Sequence, residues 1–97
     1  GLAEDADTRA MAELARLRWA RLLGETDREA ALALLDREVT DGFRASYAQL
    51  RGDLLSRLGR PEAAAEAYRE ALGSEPGLGA QARELVRRKL QAVEAEA

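Results

Sequence analysis

The 97-residue chain contains no cysteine and no histidine. The first absence excludes disulfides and thiol chemistry while leaving reducing and oxidising compartments equally open. The second removes the commonest general base and the commonest neutral metal ligand, so no cofactor and no metal are expected. Aromatic residues make up only 4% of the chain and prolines number two, which suits helices and argues against a sandwich or barrel. No apolar run approaches the roughly 18 residues of a membrane span, and no signal-peptide pattern opens the chain. The 18 acidic and 15 basic residues alternate instead of forming blocks, so no polybasic stripe faces phosphates and nucleic acid is not an expected partner. One domain with a modest core is expected at this length, too small for a deep catalytic cleft or a small-molecule substrate.

What the sequence does contain is apolar residues at helical spacing. Asp7 or Thr8 is placed to cap a first helix on which Met11, Leu14, Ala15, Trp19 and Leu22 recur at three- and four-residue intervals, running to Gly24. A second helix is expected from about Asp27, with Ala31, Leu34 and Leu35 on one face and Val39 near its end. In the third, Phe43, Tyr47, Leu50, Leu54 and Leu58 fall at i, i+4, i+7, i+11 and i+15 and form one stripe, ending at Gly59. Pro61 opens a fourth carrying Ala64, Ala67, Tyr68, Ala71 and Leu72. After GSEPGLG a fifth begins near Leu78, with Ala82, Leu85, Val86, Leu90 and Val93 in the same spacing. Short loops between five helices imply antiparallel neighbours and an all-α fold.

A glycine inside the third helix, Gly52, costs about 1 kcal/mol relative to alanine. It groups with Ala45, Ala48 and Leu55 on a face opposite the large stripe, so that helix is expected to be buried on two sides. A small residue there admits an aromatic ring that a larger side chain would exclude. Tyr68 is the candidate ring. The tripeptide Arg51-Gly52-Asp53 is then held helical, which removes an adhesion-loop reading.

The segments DREAALALL and PEAAAEAYREAL superpose Ala30 on Ala64 and Leu34 on Tyr68 at a period of 34 residues, while Leu17-Arg18 matches Leu50-Arg51 at 33. In the second unit Gly52, Leu55, Gly59, Ala64, Tyr68, Ala71 and Pro76 stand in the order and spacing of the tetratricopeptide consensus, which the sequence resembles. Ala48 and Arg51 depart from it, occupying places where an aromatic and a leucine are usual. The resemblance implies a tetratricopeptide-like helical repeat array of antiparallel helix pairs plus a C-terminal capping helix, with repeats over 8–41 and 42–76 and the last helix over 78–95.

The run GFRASYAQLRGDLLSRLGRPEAAAEAYREAL followed by LVRRKLQAV, with LARLRWARLL and ALALLD before it, resembles more closely the periplasmic domain of the YfgM-type ancillary subunits of the SecYEG translocon. That resemblance implies a fragment of a longer membrane-anchored protein, on the periplasmic side of the bacterial inner membrane. Its implied partners are the Sec translocon and periplasmic chaperones or client polypeptides. Membrane association would then come only through an anchor that this chain does not contain.

Glu66 and Glu70 sit one helical turn apart, but with no histidine, cysteine or apolar pocket to shift them they read as a solvated face and no enzyme is expected. Arg87, Arg88 and Lys89 form the one basic cluster, read as complementing the dipole near the end of the last helix, with phosphate or anionic lipid as the alternative. Arg18 projects into the stripe of Met11, Ala15 and Leu22, where an unpaired buried charge is costly; it is expected to have a partner, Asp53 being one candidate. Trp19 is read as core filler, with an exposed anchor as the alternative. The expected function is a protein-binding scaffold whose groove is lined by Ser46, Gln49, Asp53, Ser56 and Arg57, a polar strip between the two buried faces of the third helix. The second hypothesis is a homodimer built on the last helix through Leu85, Leu90 and Val93.

Overall fold

The computed structural model describes residues 2–97, with side chains from Asp5 onward. Five helices follow one another: α1 (Leu2–Leu23), α2 (Arg28–Leu35), α3 (Asp41–Arg57), α4 (Pro61–Gly73) and α5 (Ala80–Glu96). Among the described residues there is no strand, and no helix is long and apolar enough to cross a membrane. The expected all-α repeat architecture is what is found: α1 packs on α2, α3 on α4, and α5 lies against α4 as the last layer.

The helix boundaries follow from local chemistry. α1 begins at Leu2, before the expected caps at Asp7 and Thr8; Asp5 and Asp7 lie inside its opening turns, where negative charge complements the exposed amide dipoles. Asp27 caps α2, its carboxylate accepting from the Ala30 amide at 3.0 Å. α2 closes at Leu35, short of Val39, which lies in the extended stretch before α3 and packs half-buried on the core. The α3 to α4 turn is a Schellman motif. Gly59 adopts φ +74°, its amide donates to Ser56 O at 3.1 Å, and the Arg60 amide donates to Leu55 O at 3.0 Å. Pro61 then opens α4 at a position where its missing N–H costs nothing. α5 starts at Ala80, not at Leu78. Leu78 stays half-buried against the core as the chain approaches the helix.

Two apolar clusters form the interior. The first joins Leu17 and Ala20 of α1, Ala31 and Leu35 of α2, and Tyr47, Leu50 and Leu54 of α3. The second joins Ala48 of α3, Ala64, Ala65, Tyr68 and Ala71 of α4, and Val86 and Val93 of α5. α3 is therefore buried on two faces, as its stripe and its small-residue face require. Gly52 is the close-approach point: a Cβ built there would meet Cε1 of Tyr68 at 2.5 Å and Cδ1 at 2.6 Å. Tyr68 itself is 2% exposed.

Gly24 has a second such role. The sequence marks it as a helix stop, yet it is buried where the end of α1 meets α3, and an added Cβ would lie 2.7 Å from Cδ2 of Leu54.

α1 departs furthest from expectation. Its stripe of Met11, Ala15, Trp19 and Leu22 points away from the protein, with Met11 and Leu22 each 72% and Trp19 59% exposed. The buried face is the opposite one: Glu13, Leu17, Ala20 and Gly24. Glu13 closes the junction between α1 and α3. Its carboxylate accepts from the Thr40 amide at 3.0 and 3.2 Å and from the Thr40 hydroxyl at 2.8 Å, while Tyr47 OH donates to the Glu13 carbonyl at 2.6 Å. Thr40 precedes the first turn of α3, so a carboxylate from a distant helix sits where that helix presents its orphan amides. Trp19 is thus not core filler. Arg18 is exposed beside it, and the Asp53 carboxylate proposed for it is taken by Tyr68 and Lys89.

Candidate functional site

Ser46, Gln49, Asp53, Ser56 and Arg57 recur at i, i+3, i+7, i+10 and i+11, which places them on one side of α3, between its two buried faces. The first four are half-buried and Arg57 is exposed. They do not all line one cavity. Asp53, Ser56 and Arg57 border a groove of about 260 Å³ whose other wall is Tyr68 with Lys89, Ala92, Val93 and Glu96 of α5. Ser46 and Gln49 lie further back along α3, outside that groove.

The groove is held by a polar junction in which three helices meet. Tyr68 OH donates to Asp53 Oδ1 at 2.7 Å, and Lys89 Nζ donates to the same oxygen at 3.0 Å. The Tyr68 hydroxyl is pushed well above its ordinary range, first by burial and then by the carboxylate it faces, because ionising it would put a second negative charge against Asp53 in a desolvated site. Asp53 is therefore not a free groove carboxylate: one of its oxygens fixes the ring of Tyr68 and the register of α5 on α3. What remains open to a partner is the rim of Arg57, Ser56 and Glu96 above Ala92.

Sequence reasoning missed the α5 wall. The sequence groups Lys89 with Arg87 and Arg88 near the helix end, yet all three lie in mid-helix and have separate partners: Arg87 and Arg88 approach Glu84 at 3.8 and 3.5 Å, and Lys89 reaches across to α3. Treating α5 as the first helix of a further unit would have placed its residues beside those of α3. Of the proposed dimer residues on α5, Val93 is buried and Leu90 packs half-buried on the second cluster, leaving only Leu85 substantially exposed. The apolar face of α5 is spent on capping the array.

Glu66 is solvent-exposed, and Glu70 accepts from Arg51 at 2.9 Å. Arg51 reaches Glu70 of α4, whereas Asp53 meets Tyr68 of α4 and Lys89 of α5, and the tripeptide containing Gly52 is helical throughout. A larger cleft of about 550 Å³ opens on the other side of α3, where Arg37, Arg44, Tyr47 and Arg51 face Asp36, Glu38 and Glu70. Its arginines Arg44 and Arg51 are already closed by Asp41 and Glu70 at 2.8 and 2.9 Å, so size does not make it the better site.

A family model described as a tetratricopeptide repeat-like domain matches residues 1–95. No curated protein and no solved structure matches the chain significantly.

Proposed function

Because the chain belongs to the tetratricopeptide repeat-like family, whose domains are typically non-enzymatic modules for binding proteins, we propose that the groove between α3 and α5 receives an extended segment of a protein partner. One observation carries this: the groove offers Arg57 and Glu96 of opposite charge on its rim above Ala92 and the edge of Val93. Such a mixture suits a peptide that supplies both charges and a small apolar side chain. Asp53, Tyr68 and Lys89 act as the frame, holding α5 at a fixed distance from α3, and Ser56 supplies a hydroxyl for the backbone of the guest.

The finer reading is that this module serves an ancillary subunit of the Sec translocon, on the periplasmic side of the bacterial inner membrane, and passes clients between translocon and chaperones. It is supported by the resemblance of the run from Gly42 to Leu72 and of Leu85 to Val93 to the YfgM-type domain. Photo-crosslinking from Arg57 and Glu96 tests both levels, with Glu62 as a control outside the groove. Adducts formed with a translocon subunit or a periplasmic chaperone from the groove positions, and not from Glu62, are the expected result. Equal yields from all three positions would remove the groove as the binding surface.

A further inference from the structure

The strongest unexplained surface is the outer face of α1. Met11, Ala15 and Leu22 form a seam at i, i+4 and i+11, Trp19 flanks it, and all four are exposed. Exposed apolar side chains scattered singly need no account, but a contiguous set on one helix face marks an interaction surface. Arg18 interrupts this seam at i+7 and makes no hydrogen bond or ion pair among the described residues. Its charge stands amid the apolar side chains with nothing among the described residues to answer it.

We infer that this face pairs with a second copy of the chain: two α1 helices cross antiparallel near residue 13, and Arg18 of each meets Asp7 of the other. The register follows from the helical period. Asp7 and Arg18 are eleven positions apart and so lie on nearly the same side of α1, along one flank of the seam. In an antiparallel pair related by a twofold axis, residues on the same flank face each other, so a crossing near residue 13 sets Asp7 opposite Arg18 twice. The same register sets Met11 opposite Ala15, a large side chain over a small one, and lays Trp19 over Thr8 of the second copy. The independent match of charge on one flank, size in the seam and aromatic cover on the other flank favours a second copy over a foreign helix. Antiparallel pairing also opposes the two helix dipoles, bringing the acidic start of one α1 toward the Arg18 and Arg21 end of the other. Neither the groove nor the capping face of α5 takes part, so the dimer and partner binding are independent.

The test uses the 97-residue chain in sedimentation equilibrium over a concentration series, with Trp19 emission followed in parallel. The mass should rise with concentration from 10.6 kDa toward twice that value, and the emission should shift to the blue as the indole is covered. Arg18→Asp alone and Asp7→Arg alone should each weaken the dimer by at least about tenfold, since each sets like charges face to face twice. The double variant, with the charges exchanged, should recover most of that loss. Leu22→Ser should weaken the dimer and Leu85→Ser, on α5, should leave it unchanged. All of these side chains are exposed, so the variants keep the fold, which circular dichroism checks. A chain monomeric across the range, or a dimer indifferent to the charge exchange, overturns the inference.

Discussion

Replacing Gly52 by alanine should destabilise the protein although alanine is the better helix former. In an open helix the substitution would gain about 1 kcal/mol. Here the new Cβ would lie 2.5, 2.6 and 3.0 Å from three ring carbons of Tyr68, where carbon atoms pack at about 3.5 Å or more. A gap of about 1 Å must open. The ring cannot swing into solvent, because it is 2% exposed and tied through its hydroxyl to Asp53. Overpacking of this kind costs about 1–3 kcal/mol, and displacing the ring adds about 1.5 kcal/mol or more for a hydrogen bond to a charged acceptor. After the helix-propensity gain the net loss should be about 2–3 kcal/mol, read as a fall of about 1–2 M in the urea midpoint. Gly42→Ala, which meets nothing within 4 Å, is the control and should be neutral or stabilising. Far-UV circular dichroism is the right signal, since exposed Trp19 reports poorly on the core. Combining Gly52→Ala with Tyr68→Leu should recover part of the loss, a coupling that a double-mutant cycle isolates. A Gly52→Ala protein as stable as Gly42→Ala, or strictly additive with Tyr68→Leu, would refute the reasoning.

Glu13→Ala should cost about 2 kcal/mol, because it strips the charged acceptor from the Thr40 amide and hydroxyl. In a domain of this size that is a fall of roughly 10 °C in Tm, and Glu13→Gln should recover part of it. Gly24→Ala should cost less than Gly52→Ala, about 1 kcal/mol, because the nearest atom it meets is the end of the Leu54 side chain and not a tethered ring, the next being the Ala20 carbonyl oxygen at 3.3 Å; the two urea midpoints give the order. The protein should lose stability in alkali. Tyr47 and Tyr68 both titrate above their ordinary range in the folded state, each first because of burial. Their contribution is complete below about pH 10 and is lost above it, as the unfolded chain ionises first, at up to about 1.4 kcal/mol per pH unit for each tyrosine. Urea midpoints across that range, with Tyr68→Phe showing a shallower slope, check this.

The α3–α4 pair was legible in the sequence because its signals agree: a glycine with a matching aromatic at repeat spacing, a Schellman glycine at Gly59, and Pro61 at a first turn. α1 was misread for a physical reason. It carries its large apolar residues on the outer face and buries Leu17 with Ala20, Gly24 and Glu13, so the rule that large apolar side chains lie inside pointed to the wrong side. Glu13 could not have been picked out locally, since its partner Thr40 is 27 positions away. The groove was half-legible: the polar strip on α3 could be drawn from helical spacing, but the opposite wall depends on how α5 settles as Val86 and Val93 pack on α4 and Lys89 reaches Asp53.

Because α3 lends one face to each apolar cluster, it is the single rod on which both halves lean. The outer helices can each fray while α3 stays ordered, but loss of α3 leaves neither cluster a wall to close on. Amide-exchange protection should therefore fall off from the middle of the chain toward both ends, and a partner seated between α3 and α5 would pin the outer helix α5 to the central rod and slow its opening.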